Sequence, residues 1–139
     1  MNLVTVRLVD GRSKSEGRVE IKHLGTWGTV CGTNWDLRDG HVVCRTLGYS
    51  HAVQVSGNAK YGQGSSKIWL DNVQCTGNET RLTSCTHDGW SHQCSHSQDA
   101  GLKCAGVQNI FKKLFYIPSN NIYAECTIMV TDKCRYDEF

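Results

Sequence analysis

No stretch of this chain is long and apolar enough to cross a membrane, and the opening run Met1-Asn2-Leu3-Val4-Thr5-Val6-Arg7 is too polar for a secretory leader. The chain therefore reads as a mature fragment or a piece of a larger ectodomain. Charge of one sign is also lacking. A formal net charge of +2, with no basic run interleaved with aromatics, argues against nucleic acid as a partner. The motifs of hydrolases are missing too: there is no GxSxG, no HExxH and no free-thiol Cys–His pair, so an enzyme is not expected. No two cysteines stand at CxxC spacing, which weakens structural-zinc and thioredoxin-type readings. Proline is nearly absent (1) while glycine is abundant (14), a balance that suits many turns and short strands.

What is present in quantity is cysteine. The eight are Cys31, Cys44, Cys75, Cys85, Cys94, Cys104, Cys126 and Cys134. An even, dispersed set in a chain of 139 residues points to disulfides and an oxidising, extracellular compartment. A loop-rich domain of this size often needs such covalent help.

Two regions differ in character. Residues 4–105 are punctuated by glycine and hold six of the cysteines; residues 106–139 hold the other two. In the first region Val4–Val9 alternates as a strand before the turn signal Asp10-Gly11. Arg18–Lys22 and Thr26–Cys31 form a hairpin about His23-Leu24-Gly25. Asp36, with Asp39 at the third helical position, opens the main helix at 36–47. Leu37, Val42, Val43 and Leu47 share its apolar face, and Gly48 stops it. Ile68-Trp69-Leu70 and Ala100–Ala105 read as strands, and Asn78–Leu82 as a single helical turn. In the tail, Val107, Ile110, Phe111, Leu114 and Phe115 fall at i, i+3, i+4, i+7, i+8, the spacing of an amphipathic helix ended by Pro118. Thr127–Val130 follows as a strand.

The residues at this point name a family. Val6-Arg7-Leu8-Val9-Asp10-Gly11, Gly17-Arg18-Val19-Glu20-Ile21 and Gly25-Thr26-Trp27-Gly28-Thr29-Val30-Cys31 resemble a scavenger receptor cysteine-rich domain. So do Trp35-Asp36-Leu37, Val42-Val43-Cys44-Arg45-Thr46-Leu47-Gly48-Tyr49, Leu70-Asp71-Asn72-Val73-Gln74-Cys75, His87-Asp88-Gly89-Trp90 and Asp99-Ala100-Gly101-Leu102-Lys103-Cys104. The resemblance spans residues 4–105 and is of the six-cysteine type (group A), because Ser15 or Glu16 and Tyr49 stand where the other group has two more cysteines. It implies an α+β, small disulfide-rich domain in which a curved antiparallel β-sheet cradles one main α-helix, here with a C-terminal appendage at 106–139. It implies the pairing Cys31–Cys94, Cys44–Cys104 and Cys75–Cys85, where six cysteines alone permit many others. Cys126 and Cys134 remain to pair with each other or with another chain.

The family's work is extracellular recognition of polyanions, microbial surfaces or proteins, often with calcium, by loops. By resemblance, one cation site is damaged, leaving Glu79 where Gly32-Thr33 replace its acidic partners. A second keeps Asp36, Asp71 and Asn78, with Asn72 where aspartate is common, and is expected to hold one calcium weakly. The alternative is that Asp36 merely caps the helix while Asp71 and Asn72 make a turn. Asn78-Glu79-Thr80 is also an N-glycosylation sequon. Arg38, Lys60 and Arg81 are candidate contacts for sulfate, phosphate or carboxylate if they converge. His87, His92 and His96 resemble a zinc cluster only superficially, and Trp27, Trp35 and Trp90 read as packing rather than a ligand cage. The function expected is a non-catalytic scavenger-type binding module. The alternatives are an interaction domain of a larger extracellular enzyme, of protease or lysyl oxidase type, and a piece of an adhesive receptor.

Overall fold

A computed structural model describes residues 5–89, 93–106, 110–117, 119 and 121–129. The chain divides into two compact units, Met1–Val107 and Gln108–Phe139.

The first unit is built around a strand with both faces covered. β1 (Thr5–Asp10) pairs antiparallel with β2 (Glu16–His23) along its whole length. The other edge of β2 is shared by β3 (Thr26–Val30) and β6 (Gly101–Ala105), each antiparallel to it. β4 (His51–Ser56) extends the sheet beyond β6, and β5 (Lys67–Leu70) lies beyond β3. The β3–β5 pair is parallel, so the sheet anticipated as antiparallel contains one parallel junction. A parallel neighbour needs a crossover, and the chain between β3 and β5 supplies it with α1 (Leu37–Thr46) and β4. β4 had no signal in the sequence reading; its pattern of one buried residue among exposed ones marks an edge strand.

Alternation along β2 sends Val19 and Ile21 into the core beside Val30, Val42, Val43, Leu70 and Leu102. Arg18 and Glu20 point the other way and are buried as well, at 7% exposure each. α1 begins as anticipated: Asp36 accepts from the N–H groups of Arg38 and Asp39, and the Asp39 carboxylate accepts from the Asp36 N–H. This reciprocal cap satisfies the orphan donors of the first turn. Leu47 is the C-cap and Gly48 follows at φ 90°, a conformation that favours glycine. Gly40 allows the close approach of α1 to β4, since a Cβ there would meet Ala52 and Val55 at 2.8 Å. Leu37 departs from the expected apolar face and stands 44% exposed, because the buried side of the first turn is taken by Asp39 and Gly40. The helical turn anticipated at 78–82 lies further along, as a short 3-10 turn at Leu82–Ser84.

Three disulfides staple this unit: Cys31–Cys94, Cys44–Cys104 and Cys75–Cys85. These are the pairings that the resemblance implies.

The second unit corrects the reading of the tail. Its first segment is not a helix but a strand, β7 (Ile110–Ile117), paired antiparallel with β8 (Ile122–Met129). The spacing that suggested a helix arose because most of the segment is apolar. Ile110, Phe111, Phe115, Tyr116 and Ile117 are β-branched or aromatic, and such residues favour a pleated surface. Asn121 at φ 52° helps close the hairpin between Ile117 and Ile122, which are paired. The strand anticipated at 127–130 is thus the end of a longer one, with Val130 outside the described residues. Cys126 lies in β8 opposite Lys113; Cys134, and with it the Cys126–Cys134 pairing, lies outside the described residues.

Candidate functional site

The loops that follow β3 and β5 meet the N-terminal end of α1, and there the anticipated cation ligands can be followed one by one. Asp36 gives both carboxylate oxygens to neighbours on its own chain. Oδ1 accepts from the Arg38 and Asp39 N–H groups, and Oδ2 accepts from the Arg38 guanidinium at 2.8 Å. The Arg38 bond, helped by the helix-start amides, holds the Asp36 carboxyl below its ordinary pKa. Arg38 is raised in turn by the same contact.

Glu79 is spent in the same manner. Its oxygens accept from the Thr76 N–H and hydroxyl at 2.9 Å and from the Gly77 N–H at 3.0 Å. Those bonds, the Thr76 amide first, bring its pKa down to about 2. Asn72, at φ 53°, takes the Asn34 amide at 2.6 Å and the Gln74 amide at 3.1 Å on its oxygen, and donates to Asp88 at 3.0 Å. Asn78 is exposed, with only its backbone N–H directed to Thr76 Oγ1. Asp71 differs: its Oδ1 is buried with no hydrogen-bond partner among the described residues.

One orphaned oxygen does not make a calcium cage, which gathers about six to eight oxygen ligands. Among the described residues, the carboxylates of Asp36, Asp71 and Glu79 do not converge. The one trio of acidic, thiol or imidazole atoms within 4.8 Å is Cys75, Glu79 and Cys85, and both sulfurs there belong to a disulfide. The side chains as placed do not fit a calcium ion, and the charges of Asp36 and Glu79 are answered by Arg38 and by backbone amides instead.

What the site does have is rigidity. The Cys75–Cys85 loop is strapped to α1 at successive points: Cys75 N–H donates to Asp39 Oδ1 at 2.8 Å, Arg45 donates to the Gly77 carbonyl, and Thr46 Oγ1 donates to the Thr80 carbonyl at 3.3 Å. Sequence reading noted Asp39 only as a helix-start carboxylate. Its second role, holding a loop 36 residues away, has no local signal. Burial raises its pKa to about 6 against the pull of those amides.

The three candidate basic contacts are dispersed. Arg38 lies beside Gly77 at the start of α1, and Arg81 lines a small cleft with Val6, Ile21, Val43 and Thr46. Lys60 sits over the Tyr61 ring, on a loop that Arg18 holds through the Tyr61 carbonyl. All three are exposed, and no contact among the described residues joins them. Of the histidines, His87 accepts from the Gly89 N–H at 2.9 Å, His96 bridges Asp99 and the Ser66 carbonyl, and His92 lies outside the described residues. Trp35 is core, its indole N–H on the Gly101 carbonyl at 3.1 Å, whereas Trp27 is half-buried beneath the guanidinium of Arg7. Trp90 lies outside the described residues.

The model of the scavenger receptor cysteine-rich domain matches residues 9–105. Rattus norvegicus galectin-3-binding protein is 54% identical over 102 residues, covering 72% of this chain and 18% of that protein. Mus musculus macrophage scavenger receptor types I and II is 50% identical over 103 residues, covering 73% of this chain and 22% of that protein. The chain thus spans about a fifth of the length of these curated relatives. Among solved structures, the third such domain of murine neurotrypsin is 44% identical with a TM-score of 0.69, covering 76% of this chain and 99% of that one. The domain of mouse MARCO, in its dimeric form, is 39% identical with a TM-score of 0.60, covering 76% of this chain and 91% of that one.

Proposed function

Because this chain belongs to the scavenger receptor cysteine-rich domain family, we propose that it is an extracellular recognition module that binds polyanionic ligands on microbial surfaces or proteins and performs no chemistry on them. We assign it to the six-cysteine group, since Tyr49 is buried core where the other group has a cysteine. The observation that carries the reading is the fixed loop frame at the N-terminal end of α1, where Arg38 presents an exposed guanidinium beside a disulfide-closed loop. Arg81 and Lys60 supply further exposed positive charge elsewhere on the same unit, which suits an extended polymer better than a small ligand. Rigid loops lose little entropy on binding, which favours recognition over induced fit. Calcium has no part in this proposal.

The test is binding of heparin or dextran sulfate to the oxidised protein, with calcium and then with EDTA. Binding that falls with salt, weakens in an Arg38→Gln variant and ignores EDTA is the expected result. No polyanion binding at physiological salt would sink the reading. Binding that requires calcium and Asp36 would restore the cation-assisted mechanism in its place. The second reading, an interaction domain of a larger extracellular enzyme or adhesive receptor, is favoured by the tail beyond the family match and by the murine neurotrypsin domain among the similar structures.

A further inference from the structure

A second concavity lies away from those loops. It is an open groove of about 510 Å³ between the outer face of β1–β2–β3 and the loop at residues 63–66. Alternation and register put Arg7 and Val9 of β1, Arg18 and Glu20 of β2, and Trp27 and Thr29 of β3 on its floor. The floor carries a row of alternating charge: Asp10 to Arg18 at 2.9 Å, Arg18 to Glu20 at 3.0 Å, and Glu20 to Arg7 at 2.7 Å. Arg18 is consumed, because its remaining amino group also donates to the Tyr61 and Gly62 carbonyls.

Arg7 is different. Its Nε and Nη2 both donate to Glu20 Oε1, and its guanidinium carbon lies 3.9 Å from the Trp27 ring centroid. Two constraints on one planar group fix its orientation. Its Nη1 has no partner among the described residues, and the side chain is 42% exposed. Across the groove, Gln63, Ser65 and Ser66 are exposed, and their side chains have no partner among the described residues. Their loop is nevertheless held: the Gly64 N–H donates to buried Asp99 at 2.7 Å, and His96 Nε2 is 2.7 Å from the Ser66 carbonyl. Gly64 is pressed so close to the sheet that a Cβ would lie 2.5 Å from Thr29 Cγ2.

We propose that this groove is a subsite for a carboxylate-bearing sugar of an acidic glycan, a ligand class that refines the polyanion reading above and rests on it. The chemistry selects the class. A single spare guanidinium edge suits one planar carboxylate. A doubly charged phosphate monoester would be repelled by Asp10 and Glu20 about twice as strongly as a singly charged carboxylate, since the four floor charges balance. The hydroxyls of a pyranose meet Gln63, Ser65 and Ser66, while its C–H face meets Trp27 and Val9.

The experiment is a two-dimensional amide NMR titration of the full oxidised chain with a hexa-galacturonate, a neutral maltohexaose and dextran sulfate. The uronate is expected to shift the amides of Gly64, Ser65 and Ser66 and the Trp27 indole, and the neutral sugar to leave them in place. Arg7→Gln is expected to weaken uronate binding about tenfold, the loss of one charge-assisted contact. Ser65→Ala/Ser66→Ala, which touches no core contact, gives the same direction if Arg7→Gln disturbs folding. Lys103→Gln, at an exposed position of β6 that does not line the groove, is expected to leave the uronate shifts unchanged. Uronate without effect on these amides, or neutral sugar matching it, overturns the groove assignment even if dextran sulfate binds elsewhere. Groove shifts by uronate with no dextran sulfate binding uphold the groove and overturn the broader polyanion reading.

Discussion

Asp39, a carboxylate with no solvent exposure, accepts the backbone N–H of Cys75 at 2.8 Å from the first turn of α1. Its other oxygen accepts the Asp36 N–H at 2.8 Å. One side chain thereby closes the helix start and anchors the disulfide loop on which Glu79 and Asn78 sit. Replacement by asparagine turns one of those acceptors into a donor facing a donor. We expect Asp39→Asn to destabilise the fold by about 2 kcal/mol, read from the urea midpoint at neutral pH. An unchanged midpoint would show that the strap is dispensable.

The pH dependence of Asp39 has a definite sign. Burial raises its folded pKa from 3.8 to about 6, so the folded state binds its proton more tightly than the unfolded chain does. Its contribution is therefore greatest in acid and declines as pH rises from about 4 to about 6, beyond which it is constant. Urea midpoints of wild type against Asp39→Asn across that range would reveal the slope, which vanishes in the variant.

Glu79 runs the opposite way. Its folded pKa is lowered from 4.5 to about 2, so its stabilisation is present above about 4.5 and is lost as pH falls toward 2. Glu79→Gln should flatten that acid limb by lowering the midpoint above about pH 4.5, by an amount kept small because the carboxylate is exposed to solvent screening. A limb equally steep in the variant would assign acid sensitivity elsewhere.

The disulfides should rank by loop length. Cys44–Cys104 closes 60 residues and Cys75–Cys85 only 10. In the chain-entropy model their removal as paired Cys→Ala variants costs about 4 and about 3 kcal/mol. Loss of the short bridge should also free the loop that Asp39 anchors, visible as faster exchange of the backbone amides at positions 75 and 77. Equal protection of those amides with and without the bridge would show that hydrogen bonds alone hold the loop.

Asn78 stands exposed in its sequon. Expression through a eukaryotic secretory pathway should add one glycan, removed by Asn78→Gln and detected as a mass difference. Identical masses for the two proteins would show the sequon unused.

Much of the first unit was legible because its signals are local. Asp36 with Asp39 marks a helix start wherever it occurs, and Gly48 marks a stop. Val19 and Ile21 alternate with Arg18 and Glu20 as any strand with one apolar face must. The tail misled because a segment as apolar as Ile110–Ile117 satisfies two periodicities at once. β-branched and aromatic composition, rather than spacing, was the better guide there. β4 was missed because an edge strand leaves little pattern: Ala52 is its one buried residue.

The sequence by itself therefore determined the family and most of the element order, since these follow from residue type at short range and from a spacing pattern read whole, while the three staples were implied only through the family resemblance. Tertiary structure alone decided which polar groups are free. Asp36 is answered by Arg38 and two helix-start amides, Glu79 is bound by its own loop's amides, and Arg18 is exhausted by Glu20, Asp10 and two carbonyls more than 40 residues away. Arg7 keeps one donor edge open only because Glu20, 13 residues on, and Trp27 hold the rest. A hydrogen bond satisfies a group regardless of sequence distance, so a candidate ligand's availability is a property of the folded neighbourhood and not of the motif that names it.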